Sequence, residues 1–229
     1  DGCAAALATQ TGKIGYVGPL INDETRRLVN STYLGARYCY ENYRGLNPDD
    51  LEFSVTWIGF WFNIPGVTLD PTEETNTFFD GGADVVISGI DTTEVIVVAG
   101  QRVDQGEAVF GIPYDFESAC ELAPNACLGT PYFNWGPDYL EIMQTVADGT
   151  WAPSWDWNDP YWEDMNDNTK TAVGFVYGAA LTEENVAHMD DFKAMLTAFA
   201  SDEANADTIA LWQGPLNFHD GTPLAAEGE

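Results

Sequence analysis

The residues best suited to chemistry in this chain gather where apolar runs end. Trp61 and Phe62 follow VTWIG, Asp91 follows DVVISG, and Asp115 follows FGIPY. Tyr132, Asn134 and Trp135 close the run that begins at Leu128. Flat rings stack on other flat rings, and a carboxylate or amide orients a guest by hydrogen bonds. Rings with a few polar groups describe the lining of a small-molecule pocket. Core packing is the alternative reading for any single aromatic. Hydrolytic patterns are missing: the chain has no GxSxG, no HExxH and no Ser-His-Asp order. Its only histidines are His188, inside the helical pattern TEENVAHMDDF, and His219, in a turn. The chain therefore reads as a binder rather than an enzyme, with no cofactor. Asp156, Asp159, Glu163, Asp164 and Asp167 carry oxygen ligands suited to calcium but do not follow the EF-hand spacing, and no metal site is assigned.

These residues need a scaffold that brings distant chain ends together. The central piece is GGADVVISGIDTT, Gly81–Thr93. A short, β-branched apolar run between small residues is the pattern of a strand buried on both faces of a parallel sheet. Val95, Val98, Ala99 and Val103 follow at helical spacing, with Thr92 or Thr93 placed to cap the helix. The turn Gly89-Ile90-Asp91-Thr92 then lies at the carboxyl edge of the sheet, where open α/β sheets bind ligands. Further strands are expected at Lys13–Val17, Leu51–Trp57, Ala108–Ile112, Leu128–Phe133 and Ala172–Val176. Helices are expected after Asn22, around Thr72–Phe79, from Gly136 to Gly149 with a buried stripe of Tyr139, Ile142, Met143 and Val146, and after Thr182. Strand–helix alternation through residue 149 predicts parallel βαβ units and an α/β fold with a doubly wound parallel sheet. A strand at Ile209–Trp212 and a hairpin-type turn at Asp220-Gly221 are expected near the end.

Charge narrows the partners. The chain has 229 residues and a formal net charge of −29, from 37 acidic and 8 basic residues. Nucleic-acid binding requires clustered Lys and Arg, so that class is excluded. Asp91 and Glu94 occupy a helix N-terminus, a position that otherwise attracts anions. They favour a neutral or cationic ligand over a phosphate or carboxylate, in keeping with the absence of a GxGxxG or Walker sequence. Among the four cysteines, Cys120 and Cys127 can close one polar loop and Cys3 and Cys39 can join two helices. Three connectivities are open, and the even count without a metal pattern suits an oxidising compartment. No stretch is long and apolar enough to span a bilayer.

TGKIGYVGPL, a long helix, VTWIGFWFN, GGADVVISG, FGIPYDFE, NWGPDYLEIMQTVADGTW and QGPLNFHDGTPLAAEGE occur in this order, together covering nearly the whole chain. In this series the sequence resembles the basic membrane lipoprotein family, the substrate-binding proteins of ABC importers that include purine nucleoside receptors. The resemblance implies a type I periplasmic-binding-protein-like fold of two α/β lobes on a hinge. Residues 1–134 would be the second lobe, and 135–229 the returning part of the first lobe. The beginning of that lobe, with its lipidated cysteine, would precede Asp1, and a short tail would follow Glu229. The helices at 136–149 and 183–200 would then expose apolar faces, to be covered by the missing segment or a partner chain. By the same resemblance Trp61, with Phe62 next to it, stacks on a base, while Gly89 and Asp115 hold a ribose. A lysine that contacts ribose in the family is replaced here by Asn134 and Trp135. The implied function is extracytoplasmic capture of a small neutral ligand, a nucleoside, for an ABC permease, by a protein lipid-anchored in its full length. A quaternary amine is the alternative ligand class. A nucleosidase-like enzyme and a surface-assembly protein are the alternative functions on the same fold.

Overall fold

The computed structural model describes residues 1–154, 158–205, 211, 216–217 and 222–225. Four parallel strands form the main sheet: β1 (Lys13–Gly18), β2 (Glu52–Trp57), β3 (Val85–Ser88) and β4 (Phe110–Ile112), in the spatial order β2-β1-β3-β4. Ile14 lies beside both Phe53 and Val85, and Val85 lies beside Phe110, so the strands run in one register. All of β3 is buried, as its unbroken apolar run requires. Side chains alternate across it. Val85 and Ile87 join Ile14, Tyr16 and Ile112 on one face, and Val86 joins Val17, Ile90, Val95 and Ile96 on the other. The sheet is thus wound on both sides, and the chain is an α/β protein with a doubly wound parallel sheet.

One face is covered by α1 (Gly2–Ala8), α2 (Asp23–Asn42) and α6 (Glu183–Ala200); α3 (Pro71–Asp80) and α4 (Glu94–Asp104) cover the other. Every residue of α1 is buried. Its sequence, GCAAALA, permits this because small side chains let backbones approach: a Cβ on Gly2 would overlap the Thr32 carbonyl of α2. The Cys3–Cys39 disulfide joins these two helices, and Cys120–Cys127 closes the loop after β4. The end of α1 is fixed by ions. The buried Asp84 carboxylate accepts from the Thr9 hydroxyl and from the N–H groups of Gln10 (2.6 Å) and Thr11 (3.0 Å), while Arg44 donates to the Ala6 (2.8 Å) and Thr9 carbonyls. Bonds to a carboxylate are the stronger class, and here they set the approach to β1. Asn22 and Thr25 form a capping box that starts α2 at the carboxyl end of β1.

Two expectations are corrected. The fifth strand does not extend the parallel ladder. β5 (Gly129–Phe133) pairs antiparallel with β6 (Val173–Tyr177), and its link to β4 is a single parallel bridge, Gly111 to Cys127, with isolated bonds beyond it. β4 stops at Pro113, which has no N–H to continue a ladder. The stripe of α5 (Gly136–Ala147) is not buried. Tyr139, Ile142, Met143 and Val146 are 45–59% exposed, and α5 has no buried residue. Its sequence is amphipathic, but no described element stands opposite it. On α6, Met189 is buried and Phe192 packs against Tyr38 of α2. Near the end, β7 (Leu216–Asn217) and β8 (Pro223–Ala225) pair antiparallel. Asp156, His219, the Asp220-Gly221 turn and the strand expected at Ile209–Trp212, apart from Leu211, lie outside the described residues.

Candidate functional site

In a parallel sheet every strand delivers its following turn to the same edge. Four turns meet here: residues 19–22 before α2, 58–70 before α3, 89–93 before α4, and 113–118 after β4. Backbone bonds lock them to one another. The N–H groups of Ile58 and Gly59 donate to the Gly18 (2.9 Å) and Pro19 (2.8 Å) carbonyls, and Gly89 donates to Val17 (2.9 Å). Asp91 donates its N–H to the Trp61 carbonyl at 2.8 Å, which fixes the aromatic turn beside the central one. Within that turn Phe60 meets Trp61 and Phe62 edge-on, at ring separations of 5.4 and 4.8 Å. Trp61 is half-buried and Phe62 exposed.

The edge is acidic. The Asp91 carboxyl is held above the usual carboxylate range, first by burial, then by Asp115 and by Glu24 in the first turn of α2. Tyr114 is pushed up by burial and by Glu24, Asp115 and Asp91, with Arg27 opposing. Glu24, Asp91, Tyr114 and Asp115 thus lie close enough along this edge to influence one another's ionisation. Asp115 holds a φ of 88°, a left-handed conformation uncommon for a non-glycine residue. Its carbonyl accepts from the Phe133 N–H at 3.2 Å, and the Tyr114 ring meets Phe133 edge-on at 5.9 Å. Such backbone outliers gather at functional sites. In the central turn, Thr92 Oγ1 and Glu94 Oε2 are sealed from solvent without a hydrogen-bond partner.

The structure thus brings Trp61, Gly89, Asp91 and Asp115 to one edge, with Phe62 on its open side. Asn134 and Trp135 are directed elsewhere. The Asn134 amide donates to the carbonyls of Asn168 (2.9 Å) and Thr171 (2.8 Å), so it braces the loop before β6. Tyr132 does the same through Asn168, at 3.1 Å. Trp135 is exposed at the start of α5 and stacks on Tyr139 at 6.2 Å. Three residues of the edge escaped the sequence reading: Tyr16, Glu24 and Tyr114. A signal for them existed, because β1 must also end at the carboxyl edge and Tyr114 sits within the GIPYD turn.

A cavity of about 270 Å³ is lined by Thr72, Thr93, Glu94, Val97, Val98 and Gln101 of the α3 and α4 region, and includes none of the expected ligand residues. Among the described residues no group of three metal-ligating side chains could hold an ion. Asp164 and Asp167 instead accept from the N–H groups of Asn166 and Thr169 within their own turns, both at 3.0 Å. His188 packs on the Tyr43 ring at 4.9 Å.

No family model matches the sequence. Over 229 residues the chain is 31% identical to a purine-binding protein of Brucella abortus, a match covering 100% of this chain and 56% of that protein. In structure it is similar to a transcriptional activator of the comK gene from Bacillus halodurans, with a TM-score of 0.61 and 17% identity, covering 86% of this chain and 60% of the other. It is also similar to an ABC transporter solute-binding protein from Conexibacter woesei, with a TM-score of 0.54 and 18% identity, covering 86% and 59%. The chain spans little more than half the length of each of these proteins. The structural likenesses show that it shares its α/β fold with a solute-binding protein of ABC transport and with a transcriptional regulator.

Proposed function

We propose that the chain is the larger part of an extracytoplasmic solute-binding protein that captures a purine nucleoside or related small ligand for an ABC permease. The observation that carries this reading is the meeting, at one sheet edge, of the Trp61 turn, Gly89, Asp91 and the strained Asp115. A ring beside carboxylates binds a base by stacking and orients the hydroxyl and N–H groups around it. The purine-binding relative from Brucella abortus supports the ligand class. In this reading residues 1–134 form the second lobe. Residues from 135 onward belong to the first lobe, together with α5, whose apolar stripe is uncovered among the described residues. The lobes close on the ligand about a hinge. The full-length protein is lipid-anchored outside the cytoplasm. The regulatory role of the comK activator fits less well, because a net charge of −29 repels a phosphate backbone.

Calorimetry with purine nucleosides and bases tests the reading. Trp61→Ala should weaken binding by roughly 1–3 kcal/mol, the usual contribution of a ring stacked on a base. Unchanged affinity would remove Trp61 from the site. A second ligand class is favoured by one observation. Glu24, Asp91 and Asp115 together raise the negative potential of the edge, so a quaternary amine held over Trp61 by cation–π attraction is the competing guest. A choline titration in the same cell separates the two.

A further inference from the structure

Tyr16 stands out at the floor of this edge. Its side chain is 3% exposed and packs in the core on the α2 face, with the Phe53 ring 6.2 Å away. Its tip reaches the end of β3. A Cβ built on Gly89 would lie 2.8 Å from Tyr16 Cε1 and 2.9 Å from Cζ, and closer still to the hydroxyl oxygen. The hydroxyl therefore covers the α-carbon of Gly89, and Gly89 carries no side chain to block it. The hydroxyl makes no hydrogen bond with any described residue. The sealed, unpartnered side-chain atoms among the described residues are Asp1 Oδ1, Thr92 Oγ1 and Glu94 Oε2. Tyr16 is not one of them, so its hydroxyl touches solvent although the ring is buried. Burial and the neighbouring Tyr114 push its pKa up, which keeps the proton in place at neutral pH. A tyrosine inside a core normally finds a partner for its O–H. This one offers an unused proton over Gly89, at the carboxyl edge that also carries Asp91 and Asp115.

We infer that the Tyr16 hydroxyl is a ligand-binding group, donating to an acceptor atom at the inner end of the guest while Asp91 and Asp115 accept from donors beside it. This rests on the solute-receptor reading above and narrows it. The guest carries a carbonyl oxygen or ring nitrogen flanked by N–H or O–H groups, the pattern on the polar edge of a purine. A quaternary ammonium group has neither an acceptor nor an N–H, so it gains nothing from Tyr16; choline presents only its terminal hydroxyl.

Tyr16→Phe in the full-length protein tests the assignment, with adenine, hypoxanthine, inosine, guanosine and choline as probes in calorimetry and thermal unfolding. The change keeps the ring and removes one oxygen. The unliganded variant should unfold at the wild-type temperature or slightly above, because an unpaired hydroxyl contributes nothing to the empty protein. Its affinity for the purine that binds wild type should fall about tenfold, the typical loss when a neutral hydrogen bond is removed from a built site, and its ligand-induced thermal shift should shrink. Equal purine affinity in variant and wild type overturns the Tyr16 assignment while leaving the receptor reading intact. So does a less stable empty variant with unaltered affinity, which would make the hydroxyl a structural group. Wild-type protein that binds choline and no purine overturns the narrowing. Wild-type protein that binds no probe overturns the receptor reading and this inference with it.

Discussion

Gly89→Ala couples the fold to the site and can be worked through in numbers. Gly89 does not have a left-handed φ, so the cost of a side chain there is steric. The new methyl would meet two ring carbons of Tyr16 at 2.8 and 2.9 Å, where ordinary contact begins at 3.4 Å, and would press harder on the hydroxyl oxygen. The ring must withdraw by about half an ångström, which is resisted because Tyr16 sits in a close-packed core. Overpacking of this kind costs about 1–3 kcal/mol. Loss of glycine freedom in the unfolded chain returns about 0.4–1 kcal/mol. The net expectation is a destabilisation of about 1–2 kcal/mol, read as a lower urea midpoint at unchanged slope. The same substitution on a Tyr16→Phe background should cost less, because the atom nearest the methyl is gone. A non-zero coupling in this double-mutant cycle is the signature of direct contact. If Gly89→Ala unfolds at the wild-type midpoint, or costs the same on both backgrounds, the packing of Tyr16 over Gly89 is wrong, and the site loses its floor.

Two further outcomes follow from the disulfides and from the acidic edge. The Cys3–Cys39 bridge closes a separation of 36 residues and Cys120–Cys127 one of 7. On the loop-entropy model, replacing each pair by alanine should cost about 4 and about 2 kcal/mol respectively. Urea midpoints in the reverse order would show that the bridges act mainly on the native state. Asp91→Asn should stabilise the empty protein at pH 7, with no gain near pH 3. The sign follows from its raised folded pKa: the native state retains a proton that the unfolded chain releases, so stability falls as pH rises through that window. Because Asp91 is exposed, the gain is small. Thermal unfolding of both proteins across pH 3–7 checks it, and parallel curves would remove the repulsion from Glu24 and Asp115.

Much of the scaffold can be read from local pattern. The run at Val85–Ser88, apolar without alternation and flanked by small residues, reads as an interior strand buried on both faces, and the residues after Thr93 have the period of a helix lying on it. Capping at Asn22 is likewise local, since it depends on a few neighbouring backbone groups, whereas neither Thr92 nor Thr93 makes the side-chain cap expected at the start of α4. Other features were hidden because they depend on distant partners. Leu128–Phe133 has the composition of a strand, but composition carries no direction, and its antiparallel pairing with β6 is decided by where residues 173–177 return. The amphipathic pattern of α5 marks a face that seeks cover, yet pattern does not say whether cover is present. Asn134 is a polar residue at a strand end, as a ligand contact would be, but two carbonyls across a turn claim its amide.

The one-dimensional chain determined which segments become strands and helices and on which side their turns emerge, because hydrophobic period and capping act over a few residues. It also determined the sign of the charge at the edge, through Asp91, Asp115 and the scarcity of Lys and Arg. Only the tertiary structure decided that the Tyr16 side chain reaches from β1 to cover Gly89 just beyond β3, that Glu24 joins the acidic edge, and that Asn134 turns away. Those outcomes depend on strand order and register, which place residues far apart in the chain within contact distance, and no local pattern encodes that distance.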